Sequence, residues 1–172
     1  DPKALAGASR VVFPGQGAMP DCMHQLAERG LVEAVLHAAA TKPFLGICVG
    51  QQMLFEHSEE GDVPGLGIFP GKVVRFSVDK LDAHGARLKV PHMGWNTLSD
   101  VKSGLFSDQL ADKFVYFVHS YYVPVNEHTI ATTEYILPFS AAMHKDNFYA
   151  TQFHPEKSGS VGEMILQNFL NL

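Results

Sequence analysis

A short apolar run that ends in a glycine-flanked cysteine constrains this chain more than any other stretch. Residues 44–47 are apolar, as in a buried strand, and they lead into Gly46-Ile47-Cys48-Val49-Gly50. The pattern Gly-x-nucleophile-x-Gly is typical of a strand–turn–helix elbow, in which the flanking glycines allow a tight turn. The sequence therefore predicts a strand that ends by presenting the Cys48 sulfur at one edge of a sheet.

The residues around Cys48 suit nucleophilic chemistry. Residues 51–57 have amphipathic spacing and predict a helix that begins just after the turn. The free N–H groups and positive dipole end of that helix would favour a thiolate, which attacks a carbonyl carbon far better than a thiol does. The pentapeptide by itself is equally compatible with a core cysteine between two packing glycines, so the choice depends on a base elsewhere in the chain.

A second polar cluster follows the last predicted strand. His154 and Glu156 lie two residues apart in the segment 152–158, so in an extended chain they point to the same side. At the carboxyl edge of an open sheet they would face the same crevice as Cys48. His154 would take the cysteine proton and return it to a leaving amine, and Glu156 would orient the imidazole. A solvated surface pair and a His-x-Glu metal site are the alternatives, although no third metal ligand is suitably spaced.

The order of the predicted elements indicates an α/β fold. The predicted strands are residues 10–13, 44–47, 72–76, 88–96 (breaking into a loop), 114–118, 129–135, 139–144 and 148–153, and the predicted helices are 21–29, 31–40, 51–57 and 161–170. Alternation in the first third favours a parallel sheet with helices on both faces, and the closely spaced later strands favour antiparallel pairing. We expect a three-layer sandwich, a mostly parallel sheet with an antiparallel extension, and a surface loop over residues 58–71.

Composition excludes several classes of function. The 172 residues suit one domain, and 46% apolar with 18% charged residues is typical of a globular chain. The formal net charge is −5 without a basic run, so no nucleic-acid partner is expected. No apolar run reaches the roughly 18 residues of a membrane span. The two cysteines, Cys22 and Cys48, have neither disulfide nor zinc spacing, which favours a reducing cytoplasm and no metal or other cofactor.

Two motifs together resemble a known family. Residues 46–52 and 153–156 are similar to the nucleophile and base segments of the class I glutamine amidotransferases. The glutaminase subunits of imidazole glycerol phosphate synthase, within that family, resemble the chain further at residues 14–19, 91–96, 117–121 and 154–159. The segment Pro91-His92-Met93-Gly94-Trp95-Asn96 is the most discriminating piece, since other class I glutaminases share the catalytic residues without it.

The resemblance implies a role for each matched residue. The implied catalytic residues are Cys48 as nucleophile, His154 as base and Glu156 as orienting acid. Substrate contacts would come from Gly50, Gln52, Ser120 and Tyr121, and the oxyanion hole from the backbone at Gln16 and Val49. The residues implied to lie toward the partner are Met93, Trp95, Asn96 and Lys157, with Tyr121.

The same resemblance implies the reaction and the partner. Glutamine would be hydrolysed through a Cys48 thioester, and the ammonia would pass to a (β/α)8 cyclase in a heterodimer. The cyclase would make imidazole glycerol phosphate and aminoimidazole carboxamide ribotide in histidine biosynthesis. A stand-alone hydrolase of γ-glutamyl compounds, a non-catalytic subunit, and an amidotransferase of another pathway such as anthranilate synthesis are the alternatives.

The chain departs from the family pattern in two places. Gln16 stands where the family usually carries valine, in an oxyanion segment whose backbone atoms do the chemistry. Family members also open with a strand and a helix before the point that matches Asp1. We therefore expect residues 1–172 to form a single amidotransferase domain that is truncated at its N-terminus relative to the family.

Overall fold

The computed structural model describes residues 1–102 and 104–172. The helices are α1 (Pro2–Gly7), α2 (Met19–Glu28), α3 (Val32–Thr41), α4 (Val49–Gln52) and α5 (Gly159–Leu170). The strands are β1 (Val11–Gly15), β2 (Phe44–Cys48), β3 (Phe55–Ser58), β4 (Val63–Pro64), β5 (Phe69–Arg75), β6 (His92–Thr97), β7 (Phe114–His119), β8 (Tyr121–Tyr122), β9 (Thr129–Tyr135), β10 (Leu137–Lys145) and β11 (Phe148–Thr151). None of the described helices combines the length and the apolar character that a membrane span needs.

A five-stranded sheet carries the centre of the molecule. Its strand order is β1-β2-β11-β10-β9, with β2 parallel to both neighbours and β10 antiparallel to both of its own. The register pairs Gly15 with Cys48 and Thr151 with Ile47. The carboxyl ends of three parallel strands therefore meet at one edge, which is where ligands bind in open α/β sheets. The predicted α/β class, with parallel strands and an antiparallel extension, is confirmed, but the sheet is mixed and not mostly parallel, since the two kinds of strand pairing are equal in number.

Two smaller sheets flank this edge. One has the order β4-β3-β5-β8, and the other is the β6–β7 antiparallel pair, in which His92 lies opposite His119 and Trp95 opposite Tyr116. Aromatic side chains fill the space between the elements. The fully buried phenylalanines are Phe44, Phe55, Phe69, Phe76, Phe106, Phe117, Phe139, Phe153 and Phe169. Rings of this size supply most of the apolar area that folding removes from water.

The structure corrects three of the sequence predictions. Residues 51–57 are not one helix, because α4 ends after a single turn and β3 follows it. Phe55 is buried and stacks on Phe69 at 5.5 Å between ring centroids, so pairing of β3 with β5 overrides the helical spacing. The predicted loop 58–71 contains β4 and the beginning of β5, and the predicted strand 88–96 begins only at His92. Helix α1 was not predicted.

Candidate active site

The elbow between β2 and α4 has the strained geometry that its sequence predicts. Cys48 has φ 55° and ψ −112°, a conformation that L-residues rarely adopt and that clusters at functional sites. Gly50 is required for packing, since a Cβ atom there would lie 1.8 Å from the Phe13 carbonyl oxygen of β1. A Cβ at Gly46 would lie 2.9 Å from the Gly50 oxygen. The glycines thus bring α4 against the sheet and fix where the cysteine stands.

A cavity of about 410 Å³ opens at this edge of the sheet. Most of the residues with a predicted catalytic, substrate or oxyanion role line it. The lining residues are Gly15, Gln16, Gly17, Cys48, Val49, Gln52, Glu60, Pro91, Val118, His119, Ser120, Tyr121, His154 and Lys157. Gly50 is not among them, so its predicted contact with substrate is not supported and its packing against β1 accounts for the residue. Glu156 does not line the cavity either; its side chain is exposed and contacts His154.

The His154–Glu156 pair is arranged as the spacing of the two residues predicts. His154 is buried, and its Nδ1 lies 2.6 Å from Glu156 Oε1, so Nδ1–H donates to the carboxylate. The Ser158 hydroxyl donates to the His154 carbonyl at 2.6 Å and holds the backbone in place. With its proton on Nδ1, the neutral ring has a free lone pair on Nε2, and Nε2 is buried without a hydrogen-bond partner among the described residues. This is the protonation state that a general base needs.

The Cys48 sulfur is held as a thiol. It is only 6% exposed, and burial raises the pKa of the thiol to about 11, although the Val49 backbone N–H lowers it in part. Its S–H group donates to the Val118 carbonyl at 3.9 Å. Burial therefore opposes the predicted thiolate in the free site, since desolvation is the largest cause of the raised pKa. The proton must leave with the help of a base.

The predicted substrate residues that line the cavity come from two places, the end of α4 and the β7–β8 connection. Ser120 and Tyr121 connect β7 to β8 and both line the cavity. Gln52 is buried, and its Nε2 donates to the Tyr121 carbonyl at 3.2 Å and to Gln152 Oε1 at 3.0 Å. Both amide protons of Gln52 are thus used inside the protein, and its Oε1 remains for a donor on a ligand.

The predicted oxyanion residues line the same cavity. The Gln16 carbonyl accepts a hydrogen bond from Cys22 Sγ at 3.2 Å, so this oxygen is turned toward helix α2. Gly17 follows with φ +84°, a left-handed conformation that favours glycine. Val49 places its backbone N–H at the elbow, beside the Cys48 sulfur. Residues 15–17 and Val49 therefore line the cavity together with Cys48, and their role as an oxyanion hole stays a prediction.

The predicted partner residues divide into two groups. Met93 and Trp95 point outward from β6, with 63% and 54% of their surface exposed. Lys157 lies at the rim of the cavity. Asn96 is half-buried, and its Nδ2 donates to the Glu134 carbonyl at 3.0 Å, so its amide is hydrogen-bonded within the chain. The structure supports an outward role for the first three residues and an inward one for Asn96.

Three buried polar residues near the site were not predicted from the sequence. His119 Nδ1 lies 2.8 Å from the Tyr121 carbonyl, and His92 Nδ1 lies 3.0 Å from His119 Nε2. Burial lowers the pKa of His92 to about 4 and that of His119 to about 3, so both are neutral at physiological pH. Gln152 Nε2 lies 3.7 Å from Cys48 Sγ. His92 and His119 lie inside the matched motifs and Gln152 lies just before one, but nothing in their spacing indicates these contacts.

Comparisons with known proteins agree with this geometry. The family model "Glutamine amidotransferase class-I" matches residues 4–172, and the chain therefore belongs to that family. Its solved neighbours show the same fold. The glutaminase domain of Trypanosoma brucei CTPS aligns with TM-score 0.61 at 16% identity, covering 99% of this chain and 74% of that one. A structure described as glutamine amidotransferase aligns with TM-score 0.70 at 18% identity, covering 98% and 83%.

Sequence relatives narrow the assignment within the family. The chain is 55% identical over 173 residues to the imidazole glycerol phosphate synthase subunit HisH of Dechloromonas aromatica (strain RCB), covering 99% of this chain and 80% of that protein. The HisH subunit of Bacteroides fragilis (strain YCH46) is 54% identical over 172 residues, covering 100% and 84%. Within the class I amidotransferases, the chain groups with the HisH subunits.

Proposed function

We propose that this protein is the glutaminase subunit of an imidazole glycerol phosphate synthase, with Cys48 as nucleophile. The observation that carries the proposal is one cavity that holds a cysteine on a strained elbow and a histidine already oriented by a carboxylate. The similarity to HisH subunits at about 55% identity supports the pathway, histidine biosynthesis. In this role the protein hydrolyses glutamine and passes ammonia to a cyclase.

Thioester formation begins with proton transfer. His154 Nε2 takes the proton from Cys48, and Glu156 stabilises the imidazolium that forms. The sulfur attacks the carboxamide carbon of glutamine, and backbone N–H groups at Val49 and residues 15–17 stabilise the oxyanion. The intermediate collapses to the γ-glutamyl thioester, and the imidazolium gives its proton to the leaving nitrogen, which departs as ammonia. Water activated by His154 then hydrolyses the thioester to glutamate and the free thiol.

Substrate recognition falls to Gln52 at the end of α4 and to the β7–β8 connection. Gln52 Oε1 accepts from the α-amino group of glutamine, and Ser120 and Tyr121 hold the carboxylate end. These residues lie on elements that hydrogen bonds already fix, so the carboxamide is positioned over the sulfur before reaction.

The partner is a (β/α)8 cyclase that covers the exposed face of β6 in a heterodimer. Met93 and Trp95 offer the large, exposed, apolar and aromatic side chains that anchor protein–protein interfaces. Lys157 lines the cavity and is exposed, so it is also open to contact with a partner. Both cysteines are free thiols, which suits a cytoplasmic location.

The test separates glutamine-dependent from ammonia-dependent synthesis. With the cyclase present, Cys48→Ala abolishes product formation from glutamine and leaves product formation from ammonium salts unchanged. Cys22→Ala is the matched control and retains both activities. Substantial glutamine-dependent turnover in Cys48→Ala would exclude the proposed nucleophile. Full glutamine hydrolysis without any cyclase would instead favour a stand-alone γ-glutamyl hydrolase.

A further inference from the structure

We propose that Gln152 is a positioning residue for the nucleophile, donating an amide N–H to the Cys48 sulfur and holding it while its proton is lost. The inference deepens the proposed function and rests on Cys48 being the nucleophile. Gln152 precedes the His154 motif in sequence, and neither composition nor spacing gives it a role. Three features of its surroundings carry the argument.

The first feature is the contact itself. Gln152 Nε2 lies 3.7 Å from Cys48 Sγ, within the range of an N–H···S hydrogen bond, and Gln152 is completely buried. The other hydrogen-bond partner of the sulfur, the Val118 carbonyl, is an acceptor. When the thiol becomes a thiolate, that carbonyl repels the new negative charge, whereas the Gln152 N–H is the side-chain hydrogen-bond donor that faces it among the described residues.

The second feature fixes which way the Gln152 amide faces. Gln52 Nε2 donates to Gln152 Oε1 at 3.0 Å, which forces the Gln152 NH₂ group toward the sulfur. Gln52 is held in turn, because its Nε2 also donates to the Tyr121 carbonyl. The Gln152 backbone N–H donates to the Ala141 carbonyl at 2.8 Å and ties the residue to β10. The amide therefore has one orientation available.

The third feature extends this support across the molecule. The Tyr121 carbonyl also accepts from His119 Nδ1–H. In this neutral tautomer His119 Nε2 has a free lone pair, which accepts from His92 Nδ1–H. Because burial lowers the pKa of both histidines, neither carries a charge that would disturb the chain of bonds. A continuous set of hydrogen bonds thus runs from His92 on β6 to Gln152 and the Cys48 sulfur.

The experiment measures the apparent pKa of Cys48 through its alkylation rate. Iodoacetamide reacts with the thiolate, so its rate constant followed from neutral into alkaline pH reports the thiolate fraction. A Cys22→Ala background leaves Cys48 as the single thiol. Gln152→Leu removes the donor, and Gln51→Leu is the matched control, because Gln51 is equally buried but its amide has no partner among the described residues.

We expect Gln152→Leu to raise the apparent pKa of Cys48 by about half a unit to one unit, the equivalent of one ordinary hydrogen bond. Alkylation at neutral pH then slows by about three- to tenfold, and the Gln51→Leu control keeps the parent profile. The charged or titratable groups facing the sulfur are Glu156, Lys157, Glu60 and His154, and all remain in both variants.

A second variant keeps the test decisive if Gln152→Leu does not fold. Gln152→Glu preserves the shape and the acceptor for Gln52 but places a carboxylate oxygen at the sulfur, and we expect a larger rise in the Cys48 pKa. An unchanged alkylation profile in a folded Gln152 variant, with thermal melting as the check, would overturn the proposal. This readout needs no turnover, so it fails independently of the glutaminase assignment, which the Cys48→Ala assay decides.

Discussion

The elbow of β2 and α4 and the antiparallel β6–β7 pair, which we call the hairpin, border the same cavity. Close backbone contacts define the elbow, whereas exposed side chains define the outer face of the hairpin. At the elbow, backbone packs on backbone so closely that a single methyl group at Gly50 has no room. At the hairpin, Met93 and Trp95 extend into solvent, and we expect their substitution to leave the core intact. The reacting atom is therefore fixed by main-chain geometry, while the face offered to a partner consists of side chains that can adapt.

The buried pair His92 and His119 connects these two regions. Each ring is neutral and hydrogen-bonded, with His92 in β6 and His119 at the end of β7 beside the cavity. Here the contacts are made by side chains, as at the hairpin face, but these side chains are buried, as the elbow is. Protonation of either histidine would place a charge in this buried junction, which is costly. The stability of the junction therefore depends on pH.

The largest expected effect is at the elbow. Gly50→Ala forces a Cβ atom toward the Phe13 carbonyl, and we expect a loss of about 3 kcal/mol or more in the free energy of unfolding. Gly7→Ala, where a Cβ would have nothing within 4 Å, is the matched control and changes stability by about 1 kcal/mol or less. Urea unfolding measures both. Similar small losses in the two variants would show that the elbow tolerates the movement of its backbone.

A smaller effect is expected at the histidine junction. The pKa values of His92 and His119 are lowered in the folded state, so below the unfolded value of 6.5 the unfolded chain binds more protons. The contribution of the two neutral histidines to the free energy of unfolding is therefore fully present above pH 6.5. It is lost as the pH drops toward about 4 for His92 and about 3 for His119. Each histidine contributes a slope of about 1.4 kcal/mol per pH unit.

Unfolding measured as a function of pH tests this sign. His119→Phe removes one proton-binding group and should reduce the acid slope, whereas His24→Gln, at a mostly exposed position on α2, should leave it unchanged. Equal slopes in the parent and in His119→Phe would contradict the buried neutral pair.

The smallest effect on stability is expected at the hairpin face. Trp95→Ala should change the free energy of unfolding by only about 0.5 kcal/mol, because the ring is largely in solvent. Binding to the cyclase should weaken by about tenfold or more if the ring is an interface anchor. Val12→Ala on the edge strand β1, with a similarly exposed side chain, is the control for both measurements. Unaltered cyclase affinity in Trp95→Ala would place the partner elsewhere.

The sequence predicts the local parts of this site and the meeting of Cys48 and His154 at one sheet edge, but it misses the other long-range contacts. The Gly-x-Cys-x-Gly turn and the His154–Glu156 pair each lie within one short segment, so residue spacing determines their geometry. Helix α4 could not be predicted to stop after one turn, because β3 forms by pairing with β4 and β5, which both come later in the chain. The Gln152–Cys48 contact joins residues 104 positions apart, a separation at which periodicity carries no information.

The central claim is that glutamine reacts at Cys48 and not at the more accessible Cys22. Covalent labelling with a glutamine-like alkylating analogue, followed by peptide mass analysis, tests it most directly. Because burial raises the Cys48 pKa to about 11, rapid labelling there requires an analogue that occupies the substrate site and the help of His154. We predict one adduct, on Cys48, that excess glutamine suppresses and His154→Ala abolishes. An adduct on Cys22, or equal labelling of both cysteines with no protection by glutamine, would contradict the account.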